Sequence, residues 1–167
     1  MSLWFRLFRV LLRALRYRSG TFDPLGEARL TFRVLPTDLD LNLHMNNARY
    51  LALMDLGRVD LLNRMGLIRL AFRGRWFPVL GAVALRFHRP LQLWDQLQLA
   101  TRITGWDEKW FYLEQRFERG GTPIATAHVK ALLRSPEGSV PTKQVLTSLG
   151  RSLVSPPLAE AALRLPE

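Results

Sequence analysis

The sequence predicts an α+β domain in which one antiparallel sheet encloses one long helix. Three observations carry that class. One alternating strand precedes a long helical segment and four alternating runs follow it. The helix has no clean wet face, so protein must surround it on most sides. The links between the later runs are short, and short links join antiparallel neighbours. At 167 residues, 48% hydrophobic and 23% charged, the chain has the size and composition of one globular core.

The elements follow in order. Residues 1–20 hold five arginines and no acid, half of the formal charge of +10. Arg6, Arg9, Arg13 and Arg16 recur at helical spacing as one basic stripe, with Leu3, Trp4, Phe5, Leu7, Phe8, Val10, Leu11, Leu12 and Leu15 filling the rest of the cylinder. Such a helix suits an anionic membrane surface, reached through residues 1–18. Packing on its own domain or a partner subunit, or service as a mitochondrial presequence, are the alternatives. On the first reading the segment is separable, and its removal leaves the rest working. A turn-rich linker over 21–27 follows.

Leu30, Phe32 and Val34 then alternate with polar neighbours in a half-buried strand that stops at Pro36. Asn46 or Asn47 can cap the long helix, which runs to about Met65. From Phe77 the period is two: Val83, Leu85 and Phe87, then Leu97, Leu99 and Ile103, then Phe111, Leu113 and Phe117, then Ala125 to Leu133. We expect these four strands to form a meander. Beyond Ser135 a short helix near Thr142–Leu149 is expected, and residues 151–167 form a tail.

Composition excludes several function classes. With no cysteine there is no disulfide, thiolate nucleophile or cysteine-bound zinc. No apolar run is long enough for a spanning helix. Asp38, Asp40 and Asn42 imitate the opening of a calcium loop, but Leu43 and Arg49 stand where that loop needs Gly and Glu. His88 and His128 have no metal-ligand spacing, so no metal is expected. The charge alone does not make a nucleic-acid binder, because half of it lies on an apolar-backed stripe and no DNA or RNA motif accompanies it.

What remains is a polar cluster, Thr37 to Asn47, between the first strand and the helix. The first amides of a helix lack intrahelical partners and carry partial positive charge, so they can hold an oxyanion developing on a carbonyl carbon. A nearby carboxylate can act as general base or nucleophile. From the residues alone, a cap is the commoner use of acids and Asn at such a place.

The stretch Asp40-x-x-x-His44-Met45-Asn46-Asn47-Ala48-Arg49-Tyr50, followed by Asp55 and Arg58, resembles the hotdog-fold acyl-CoA thioesterases of the 4-hydroxybenzoyl-CoA type, in the branch of thioesterase superfamily member six. Phe87-His88-Arg89-Pro90-Leu91, Trp106-Asp107-Glu108-Lys109 and Phe111-Tyr112-Leu113-Glu114-Gln115 share the likeness, which covers residues 28–150. The resemblance implies a hotdog domain over 28–150, a sheet wrapped around one central helix, preceded here by the extra amphipathic helix of 1–20. It implies hydrolysis of an acyl-CoA or acyl carrier protein thioester, with Asp40 as base or nucleophile. His44 would orient it or would be bonded near the helix start. The amides of Met45, Asn46 and Asn47 would hold the oxyanion. Asn47 is otherwise a cap, Asp38 a loop acid, Tyr50 packing, and Arg58 half of an ion pair.

No cofactor is implied beyond the CoA of the substrate, and its phosphates suit a basic surface. A homodimer or tetramer is expected, which would also cover the sheet's outer face. So is a cytoplasmic location, peripheral to a membrane, or a mitochondrial one in a eukaryote. One departure stands out: many relatives place Gly where this chain has Leu43. A non-catalytic acyl-binding or membrane-associated scaffold and a hotdog dehydratase are the competing functions.

Overall fold

A computed structural model describes residues 3–14, 22–151, 154–160 and 164–165. Arg16, Leu15 and the start of the linker lie outside the described residues. The elements are helix α1 (Leu3–Ala14), strand β1 (Ala28–Arg33), helices α2 (Asn47–Arg64) and α3 (Leu67–Gly74), and strands β2 (Phe77–Phe87), β3 (Gln96–Trp106), β4 (Phe111–Arg119) and β5 (Thr122–Ser135). Strand β6 (Gly138–Val140) and helix α4 (Thr142–Ser148) close the series. Among the described residues the strands make one antiparallel sheet in the order β1-β3-β4-β5-β2, with β6 on β5.

Helix α2 lies against the inner face of that sheet. Tyr50, Leu53, Met54, Gly57 and Leu61 recur every three or four residues and are all buried. At Gly57 the helix comes so near the sheet that a Cβ would stand 2.6 Å from Thr101 Oγ1 and 2.8 Å from Leu99 Cδ2. Only a glycine permits that approach. Gln115, fully buried opposite, donates to the Met54 carbonyl (3.0 Å) and to Thr101 Oγ1 (3.0 Å), and accepts from Arg58 (2.7 Å). Its polar atoms are thereby satisfied inside an apolar layer.

The four later strands do not form the expected meander. β3, β4 and β5 are hairpin neighbours, but β2 pairs with β5 across Phe77–Arg134 to Phe87–Ala125, and β3 pairs with β1. The stretch between β2 and β3 is therefore a crossover, not a turn. Its Leu91 is fully buried, and the Leu91 carbonyl accepts from Met45 N at 2.8 Å. The alternation of residues reports which face is buried, and it is the same whichever strand lies alongside.

Three further points depart from expectation. Helix α3 was not anticipated; it is enclosed by left-handed residues, Gly66 at φ 76° and Arg75 at φ 53°. The sheet's outer face is not bare, since Leu165 and Leu158 of the tail pack with Ala82, Tyr112 and Trp110. The part left open is the edge strand β2, where only Ala82 is buried. Finally, the basic stripe of α1 is divided between the domain and solvent, with Arg9 and Arg13 exposed. Arg6 and Val10 are buried against the domain, while Trp4, Phe5, Phe8, Leu11 and Leu12 are exposed. No helix among the described residues is long and apolar enough to cross a membrane.

Candidate functional site

The loop from Pro36 to Asn46 is fastened at both ends. Asp38 is 3% exposed and accepts two bonds from Arg6, at 2.5 Å and 3.2 Å, and one from Leu35 N at 2.9 Å. Arg49 stands 3.8 Å away. Asp38, expected to be a loop acid rather than a second catalyst, is buried and joins α1, the loop and α2. Its backbone carbonyl accepts from Asn46 N at 2.8 Å.

Inside this frame the chain turns tightly. The Asp40 carboxylate accepts from Asn42 N (2.8 Å), its carbonyl accepts from Leu43 N (3.1 Å), and its own N–H donates to the His44 carbonyl (2.9 Å). One carboxylate oxygen is thus held by the turn, and the other has no partner among the described residues. Leu43 sits at φ 59°, a left-handed conformation that β-carbon contacts disfavour, and its side chain is 72% exposed. The turn requires this conformation, which a glycine adopts without strain, and this chain adopts it with a leucine.

The three predicted amide donors differ. Met45 N is bound to Leu91 and Asn46 N to Asp38, so neither is available. Asn46, not Asn47, caps α2, its side chain accepting from Ala48 N at 2.8 Å. The Asn47 amide, first in the helix, has no partner among the described residues. It therefore points the open positive end of α2 outward. The His44 imidazole is not bonded to Asp40; the two residues meet through their backbones, and His44 also bridges to Gln92.

Farther along α2, a cavity of about 300 Å³ opens between the helix and the sheet. Val59, Leu62, Ile103, Leu113, Leu132 and Val145 contribute to an almost wholly apolar wall, and Pro78, Val79 and Leu80 of β2 form one side. Asp55 and Arg58 supply its polar corner as an ion pair, as expected. Burial pulls the Arg58 guanidinium below its ordinary value, against the attraction of Asp55. This cavity was not found from sequence, because its walls come from residues far apart in the chain. Asp40 does not line it.

Tyr50 has the packing role expected. Its ring meets Phe87 and Phe117 edge-on, at centroid distances of 5.0 and 5.1 Å. Burial, partly offset by a hydrogen bond to the Leu91 backbone, pushes its hydroxyl up to about 12.

The family described as the thioesterase-like superfamily matches residues 34–143. Protein THEM6 of Danio rerio is 44% identical over 118 residues, covering 70% of this chain and 58% of that protein. Protein THEM6 of Xenopus laevis is 35% identical over 154 residues, covering 90% and 72% respectively. The chain thus spans little more than half of the first of these relatives. Among solved structures, a probable thioesterase from Bartonella henselae superposes with a TM-score of 0.63 at 29% identity, over 70% of this chain and 97% of that one.

Proposed function

This chain belongs to the thioesterase-like superfamily, and on that premise we propose that it hydrolyses an acyl-CoA thioester at the loop before α2. The observation that carries the reading is that one loop bears a half-free carboxylate, Asp40, and runs into a helix whose first amide, Asn47, has no partner among the described residues. A thioester carbonyl seated on that amide develops its negative charge against the positive helix end. Asp40 then takes the proton of an attacking water, or attacks the carbonyl carbon itself to give an anhydride that water opens. In either route the C–S bond breaks and sulfur leaves as thiolate, an easy departure because thiols are acidic for leaving groups (pKa about 8.5). The thiolate recovers a proton from the medium or from Asp40, and the acid product carries the water oxygen.

The apolar cavity suits an acyl group, with Asp55 and Arg58 available to a polar substituent. It lies about 12 Å along the helix from Asn47, at the rise of an α-helix. Because β2 forms its side and presents an open edge, a second copy paired along that edge would border the cavity. We therefore read the protein as a homodimer or a pair of dimers. The net charge of +10 suits a carrier that bears phosphates, as CoA does.

The test is Asp40→Asn assayed on short, medium, long and aromatic acyl-CoAs. The Asn side-chain oxygen can still accept from Asn42 N, so the turn persists. Turnover should fall at least about a hundredfold. His44→Ala should cost less, since its imidazole does not touch the carboxylate. Near-wild-type hydrolysis by Asp40→Asn would remove the mechanism, and no hydrolysis by the wild type would leave the acyl-binding scaffold.

A further inference from the structure

A helix packed on a soluble domain normally turns its apolar side inward and its charges to water. Helix α1 departs from this: Leu3, Leu7 and Val10 pack inward, but so does Arg6, and a second apolar face is left in solvent. Its buried side is centred on Arg6 and Val10, at 5% and 4% exposure, whereas Trp4 is 77% exposed and Phe8 57%. At about 100° per residue, Phe8 and Leu12 lie diametrically opposite Val10, with Trp4, Phe5 and Leu11 beside them. Five large apolar side chains in one ridge are a patch, not a scatter.

Along one flank of the ridge lie Arg9 and Arg13, which with Arg33 line a cleft of about 150 Å³ between α1 and β1. Unlike Arg6, these three have no ion pair among the described residues. No acid lies anywhere in residues 1–20.

From these two features we propose that α1 and the adjoining cleft form a docking surface for an anionic lipid bilayer. The ridge enters the region between headgroups and acyl chains, and Arg9, Arg13 and Arg33 take lipid phosphates at the edge of the cleft. Arginine suits that position, because its stem lies along apolar surface while its fork reaches the phosphate plane. Charge complementarity selects this occupant. A second copy of the helix would set unpaired arginines against arginines in a low-dielectric contact. The inference stands apart from the thioesterase reading and does not depend on turnover.

The experiment is flotation of the full chain with vesicles of phosphatidylcholine alone and with one-third phosphatidylglycerol. The protein should float with the anionic vesicles, and added salt should release it. Arg9→Gln and Arg13→Gln should each weaken binding about fivefold. Trp4→Ala with Phe8→Ala should weaken it at least tenfold, by loss of about two buried aromatic side chains. Both residues point outward, so the melting temperature and the mass by light scattering should stay unchanged. Failure to bind anionic vesicles in low salt overturns the proposal. So does a fall in mass for Trp4→Ala with Phe8→Ala, which would give the ridge to a second copy. Equal binding to both vesicle types would remove the arginines' part in it.

Discussion

Arg6 of α1 and Asp38 of the loop form a two-point ion pair, at 2.5 and 3.2 Å, with both side chains about 95% shielded from solvent. The same guanidinium donates to the Arg33 carbonyl at 3.1 Å. The N-terminal helix is therefore joined to the loop that carries Asp40, and is not the separable appendage expected from its composition. Asp38→Ala would leave a buried guanidinium without its carboxylate, at a cost of about 3–5 kcal/mol. A fall in melting temperature on the order of 10 °C should accompany it. An unchanged melting curve would mean that the pair contributes nothing to folding.

Leu43 offers a change in the opposite direction. Its left-handed backbone costs on the order of 1–2 kcal/mol, and its exposed side chain returns little. Leu43→Gly removes that strain but adds freedom to the unfolded chain worth about 0.5–1 kcal/mol. The net expectation is a stabilisation of up to about 1 kcal/mol, with turnover kept or raised. Denaturant unfolding checks it; a loss of more than about 1 kcal/mol would show that the leucine side chain makes a necessary contact.

Asp107 sets the acid limit of the β3–β4 turn. Burial works against its charge, but the amides of Trp110 and Lys109 and the Tyr112 hydroxyl outweigh it and hold the carboxyl below its ordinary value. A depressed folded value means that the contribution is complete above the unfolded value and is lost as pH falls through the folded one. Acid unfolding of the wild type should thus steepen below about pH 4. Asp107→Asn should unfold over a flatter range there, and superimposable acid profiles would exclude the carboxylate as a contributor. The same hydrogen bond acts on its partner: burial and Asp107 together push the Tyr112 hydroxyl up to about 12.

The long helix, the strand before it and the four runs after it were legible because each repeats a burial period of its own. Asp40 was singled out by the resemblance rather than by any pattern of its own, whereas the cap at Asn46 was legible because Asn collects where a helix starts. Strand order was not, since Val83, Leu85 and Phe87 would look the same beside either neighbour. Nor was the burial of Arg6. Nothing in the spacing of the α1 arginines sets Arg6 apart from Arg9 and Arg13 until Asp38 is known to be buried beside it. Gly57 gave no signal at all, because the crowding it relieves comes from Leu99, Thr101 and Gln115, remote in sequence.

The crossover between β2 and β3 also bears on how the chain reaches this state. Among the described residues, β3, β4, β5 and the short β6 can zip together through hairpins with little loss of loop entropy. Pairing β1 with β3, or β2 with β5, closes a long loop first, and such steps are slow. The central hairpins should therefore be structured in the folding transition state while both edges are still loose. Stopped-flow refolding would show it as slower folding for Phe117→Leu and faster unfolding for Leu30→Ala, and the reverse pattern would refute it. On that route the loop bearing Asp40 is the last part to be assembled, because it waits for an edge strand on one side and the crossover on the other.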